Sequence, residues 1–289
     1  MSRFADQSDE VLKVIGRLAA LAGASLLVIF ILGIALRPLL PNGLPIGRDG
    51  RMIYLIMVSL SLAIGHLLAG IFLERGQWEP TGLGPGAWKP LALLTALALG
   101  AAAISAPAVV LLFTGHVDVV AEPGAHWSTF AADAILVVAL LALVQELAFR
   151  GYAIGLIAER WGDVAALVVT SGVAGLIQLR ASPLSIQSIV GVVALAACLG
   201  AIRLRTSSVA ASWLAHVAFS WTQLAVLHSP LRAAELPTPP GYLLNAGGPA
   251  WLTGGTHGLA EGVAVAASLA VVTFLVFRPR PTNTRQARV

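Results

Sequence analysis

Charge is scarce in this chain. Asp, Glu, Lys and Arg make up only 11% of its 289 residues, against 57% hydrophobic residues, where an ordinary soluble domain is roughly a quarter charged. So few charges cannot cover a water-soluble surface of this size, which excludes a soluble globular fold and intrinsic disorder alike. The single cysteine, Cys198, lies within an apolar run, which excludes an intrachain disulfide and a cysteine-only metal site. No HExxH run is present, so the sequence offers no zincin-type centre and implies no cofactor. The net charge of +4 comes from basic residues between and beyond apolar runs. Without a basic stripe interleaved with aromatics it does not point to nucleic acid. The GLGPG run at 82–86 follows no strand, and phosphate binding is set aside with it.

What is abundant is uncharged apolar sequence. Runs cover 18–36, 52–73, 90–114, 164–179, 181–202, 206–227 and 262–277, and an eighth starts near Phe130 and runs into a polar cluster around Gln145. A bilayer core requires about 20 apolar helical residues, and the period-two alternation of a barrel strand is missing. The expected fold is therefore all-α, a polytopic membrane helix bundle of about eight transmembrane helices. Residues 1–72 form an N-terminal pair of transmembrane helices, 73–277 a core, and 278–289 a basic cytoplasmic tail. With the N-terminus in the cytoplasm, five of the 18 Lys and Arg residues (Arg37, Arg48, Arg51, Arg180, Arg232) fall outside and thirteen inside. This bias predicts a multi-pass protein of the cytoplasmic (inner) membrane with both termini cytoplasmic. Trp78, Trp88, Trp127, Trp161 and Trp251 lie near run ends and read as interfacial anchors. The Pro- and Gly-rich stretch 228–259 reads as an irregular outer segment.

Ionisable groups at membrane depth are costly and face the bundle interior. The main cluster is Gln145-Glu146-Leu147-Ala148-Phe149-Arg150-Gly151, where Glu146 and Arg150 share a helical face and can pair. His216 and Ser220 are likewise four apart. A lone histidine such as His66 is read as a packing residue, and Asp133 and Glu261, near run ends, are assigned no chemistry. Trp161-Gly162-Asp163 predicts a turn between a fourth helix running from about Phe130 to Arg160 and a fifth. Gln145 and Gln178 are nearly equidistant from that turn, so an antiparallel hairpin brings them to equal depth, roughly 25 Å from it. Gln145, Gln178 and His216 are therefore expected to converge on one cavity.

The segment LVQELAFRGYAIGLIAERWG resembles the first motif of the CPBP intramembrane proteases, the type II CAAX prenyl protease and bacteriocin-processing group. TSGVAGLIQL is similar to their second motif and IRLRTSSVAASWLAHVAFSW to their third, in the same order. LERGQWEPTGLG and GPAWLTGG look like the family's flanking segments, so the resemblance covers about 73–277. It implies an endopeptidase acting in the lipid bilayer on membrane-associated hydrophobic peptides or lipidated proteins. In the family pattern, the first-motif glutamate and second-motif histidine activate water and the third-motif pair stabilises the oxyanion. These positions fall on Gln145, Gln178, and His216 with Ser220, while the family's second glutamate and its arginine are retained as Glu146 and Arg150.

The departures bear on the chemistry. A glutamine amide cannot accept a proton near neutral pH, and a general base contributes about 10²–10⁴-fold to hydrolysis. His216 and Ser220 still offer hydrogen-bond donors to an oxyanion, and pairing with Arg150 makes Glu146 a weakened base. Two functions follow: a CPBP-type endopeptidase, or an inactive relative that binds membrane peptides or partner proteins. A transporter would show internal repeats, and none is evident.

Overall fold

The computed structural model describes residues 2–40, 43–45, 48–121, 127–180, 185–230 and 242–277. The basic tail lies outside them. Each of the eight apolar runs is helical. The helices are α1 (Ser2–Leu36), α2 (Arg48–Leu68), α3 (Pro90–Phe113), α4 (Trp127–Arg150), α5 (Tyr152–Gln178), α6 (Ile186–Thr206), α7 (Val209–Trp221), a short α8 (Ala250–Thr253) and α9 (Val263–Val276). Apolar, uncharged sequence folds this way because a helix satisfies its own backbone where no water can. Five stretches are long and apolar enough to cross a membrane: Ser8–Leu36, Asp49–Leu73, Pro90–Phe113, Trp127–Gln178 and Ile186–Thr206. The fourth of these, 52 residues long, contains both α4 and α5. The chain is a multi-pass helical membrane bundle.

The fourth helix is shorter than the sequence suggested. It ends at Arg150, and Gly151 leaves helical geometry with ψ −120°. The anticipated turn is a second break, at Gly162, where φ is 86° and ψ 166°. Tyr152 to Trp161 is thus a separate helical piece between two glycine breaks rather than the lower end of α4. The helix of the third motif also starts later than its apolar run, at Val209. Ser207 adopts a left-handed conformation, and Ser208 caps α7 by accepting from Ala211 N at 3.0 Å.

One core cluster joins α3, α6, α7 and α9 through Ile104, Leu111, Leu199, Ile202, Phe219 and Leu269. A second sets α4 against α7 and the turn of π-helix Thr222–Val226 that follows it. Helix α7 is therefore the hub, with every residue from Ala215 to Ser220 buried. Three tryptophans staple this region. Trp127 donates to Ala225 O, Trp213 to Ala139 O and Trp221 to Ala131 O. Helix α1 lies at the periphery; only 11% of its most apolar stretch is buried, so its remaining surface is left for lipid. The one departure from an all-helical chain among the described residues is a small antiparallel pair. Strand β1 (Val117–Ala121) lies on β2 (Tyr242–Ala246), with Val117 opposite Ala246 and Ala121 opposite Tyr242.

Candidate active site

The polar residues of the three motifs meet around α7. Glu146 is fully buried and Arg150 almost so. Arg150 Nη1 lies 3.4 Å from Glu146 Oε1, and the same carboxylate oxygen receives His216 Nδ1 at 2.9 Å. Glu146 thus sits between a guanidinium and an imidazole, compensated as a buried charge must be. Its Oε2 has no hydrogen-bond partner, and Glu146 is not part of the cavity wall. It orients His216 from behind and is not presented to a substrate.

In front of His216 is a cavity of about 190 Å³. Gln145, Gln178, His216 and Ser220 all line it, so these four side chains do come together, although the unbroken fourth helix on which the equal-depth expectation rested is interrupted at Gly151. Gln145 is exposed and Gln178 half-buried, while His216 and Ser220 are buried. The open side of the cavity is therefore the α4 side, at Gln145. At about 30 Å³ per water the volume takes roughly six waters. That is room for a peptide unit and an attacking water, but not for a whole peptide.

Helix α7 ends at the cavity in the π turn that carries Gln223, whose Nε2 donates to Pro230 O at 2.6 Å. Such single-turn π segments recur at functional sites.

Two supports were not legible in the sequence. Arg203 counts by position as one of the cytoplasmic basic residues, yet it is buried in α6. Its Nε donates to Arg150 O at 2.9 Å and its Nη2 to Pro80 O at 3.1 Å, fastening the break after Arg150 to the loop before α3. His66 is the packing residue expected of it, with a definite task. Its Nε2 accepts from Tyr152 N at 3.1 Å and its Nδ1 lies 2.8 Å from Leu62 O. A Cβ on Gly151 would stand 2.1 Å from His66 Nε2, so only glycine allows this approach. The break that aims Arg150 inward is held from both sides.

The opposite wall of the cavity carries Glu261, which by its place near a run end is expected to have no chemistry, together with Ser188 and His257. The sequence held no signal for this, because the contact joins segments more than seventy residues apart. Among the described residues no group of three or more His, Cys, Asp or Glu is arranged to hold a metal ion.

Residues 127–222 match the family model described as Rce1-like, type II CAAX prenyl endopeptidase Rce1-like. The matched segment contains all three motifs with Gln145, Glu146, Arg150, Gln178, His216 and Ser220, and it supports membership of the CPBP intramembrane proteases. No match was found among curated proteins or solved structures.

Proposed function

We propose that this protein is a CAAX-type intramembrane endopeptidase that takes hydrophobic or lipidated peptides from the bilayer of the cytoplasmic membrane, with both termini in the cytoplasm. The observation that carries this reading is the buried Glu146–His216 contact at the back of a small cavity also lined by Ser220, Gln145 and Gln178. His216, held by its Nδ1 contact to Glu146, lines the cavity and in its imidazolium form offers Nε2–H there beside the Ser220 hydroxyl. Two fixed donors aimed at one carbonyl oxygen stabilise the charge that develops on it during attack. Arg150 balances the Glu146 carboxylate so that the assembly persists out of water. The exposed Gln145 side of the cavity lies within a membrane-spanning stretch, which suits entry of a substrate from the lipid rather than from solution.

Gln145 and Gln178 favour a second reading, a relative that binds such peptides without cutting them, since neither amide can take a proton from water. The experiment is cleavage of a prenylated C-terminal peptide and a mixed hydrophobic peptide library by the purified chain in liposomes, read by mass spectrometry. Cleavage that is lost in His216→Ala and Glu146→Gln supports the endopeptidase. Peptide retention without products supports the binding protein.

A further inference from the structure

An oxyanion site without a base is half of a hydrolase, and the far wall of the cavity offers the missing half. Glu261 and His257 come from the two short 3-10 turns, Gly255–His257 and Leu259–Glu261, that lead into α9, and both line the same 190 Å³ space as His216 and Ser220. The carboxylate is held in place. The buried Ser188 hydroxyl donates to Glu261 Oε2, and Ser188 Oγ in turn lies 2.8 Å from Ser185 Oγ, the N-cap of α6. The turn that carries Glu261 is fixed by Leu259 N donating to Ser229 Oγ at 2.8 Å. A catalytic carboxylate needs such support from locked neighbours.

Resting on the endopeptidase reading above, we propose that Glu261 activates the attacking water in this cavity, doing from the turn before α9 what Gln145 and Gln178 cannot do from α4 and α5. His257, four residues earlier on the same wall, positions that water. In the step, Glu261 takes a proton from water as the water oxygen bonds to the scissile carbonyl carbon. The carbonyl π electrons move to oxygen, which His216 and Ser220 hold. The carbon–nitrogen bond then breaks, and the proton on Glu261 passes to the departing nitrogen. The products are a carboxylic acid and an amine, with the Glu261 carboxylate regenerated. Nothing beyond water is consumed.

The test uses the full chain in liposomes with the same prenylated and hydrophobic peptides. Glu261→Gln should lower kcat by about 10²–10⁴-fold, the usual contribution of a general base, with peptide binding retained. Glu261→His should keep part of the activity and move the acidic limb of the kcat/KM profile upward by about two pH units, the separation of ordinary imidazole and carboxylate pKa values. A purely structural role would not shift that limb. Because Glu261→Gln also alters the Ser188 contact, it is repeated in the Gln145→Glu, Gln178→His background. There a base is restored elsewhere, and cutting should become indifferent to residue 261, which also shows that the variant folds. Unchanged cleavage by Glu261→Gln with loss in His216→Ala would overturn Glu261 as the base and leave the endopeptidase standing. Cleavage only by chains carrying Gln145→Glu and Gln178→His, never by the native chain, would overturn both.

Discussion

Replacing Arg150 by alanine should destabilise the protein more than any other single truncation in the three motifs. Arg150 and Glu146 are 3% and 0% exposed and 3.4 Å apart, so solvent screening does little to soften the loss. With the guanidinium gone, His216 is the carboxylate's remaining partner at 2.9 Å, and a stranded buried charge costs about 3–5 kcal/mol. That corresponds to a factor of about 10²–10⁴ in the folded-to-unfolded ratio. His216→Ala removes one hydrogen bond to a charged group, about 1.5–3 kcal/mol, and leaves Arg150 in place. Unfolding in detergent micelles by titrated denaturant, followed by tryptophan fluorescence, gives the two midpoints. The order should be wild type, His216→Ala, then Arg150→Ala. The double change Glu146→Gln with Arg150→Met should recover most of the loss, because removing both charges together strands neither. Arg150→Ala with wild-type stability would refute the reasoning, since a charge that can be stripped of its partner without penalty is not in a low-dielectric site.

In a chain carrying Glu261→Gln, Gln145→Glu with Gln178→His should raise peptidase activity by at least about 10²-fold, and each single change should do much less; a well-folded variant with unchanged activity would show that the cavity no longer accepts the family's geometry. Gly151→Ala should reduce folded yield sharply, because its Cβ would meet His66 Nε2 at 2.1 Å, and His66→Ala alone should cost about 1–3 kcal/mol for the unsatisfied Tyr152 N–H; equal yields would mean the break tolerates a side chain. Reporter fusions after residue 289 and within 122–126 should report cytoplasm and exterior respectively, and the same side at both would end the charge-based orientation.

Much of the fold follows from hydropathy alone, because a run of Ala, Leu and Val in lipid has few alternatives to a helix. The cavity's near wall was also readable. Gln145 and Gln178 do share the cavity as expected, though by way of a break at Gly151 that the turn-distance argument did not contain, and the period of a helix places His216 and Ser220. What escaped were features that depend on the partner rather than on the local pattern. Gly151 ends α4 because His66, on a different helix, receives the Tyr152 N–H, and nothing in the sequence around 151 announces that acceptor. Arg203 looks like an orienting surface charge, yet its guanidinium donates to the backbone carbonyls of Glu79, Pro80 and Arg150, and carbonyls leave no trace in residue identity. Glu261 looks solvated because it stands at a helix start, yet the cavity reaches it there.

The two-stranded sheet fixes something that neither charge nor hydropathy can. Strands β1 and β2 pair residue for residue from Val117–Ala246 to Ala121–Tyr242, so both ends of the intervening chain must emerge on one face of the membrane. A chain that leaves a face and returns to it has crossed an even number of times. The 52-residue apolar stretch holding α4 and α5 therefore cannot count as one crossing while α6 and α7 count as one each, because the total would be odd. Two or four crossings satisfy that parity, and with four the 13-residue α7, short as it is, becomes a full traverse once its π turn is added. The hairpin is thus a lock on topology as well as a fold element. Flipping any one helix between the strands would have to break it.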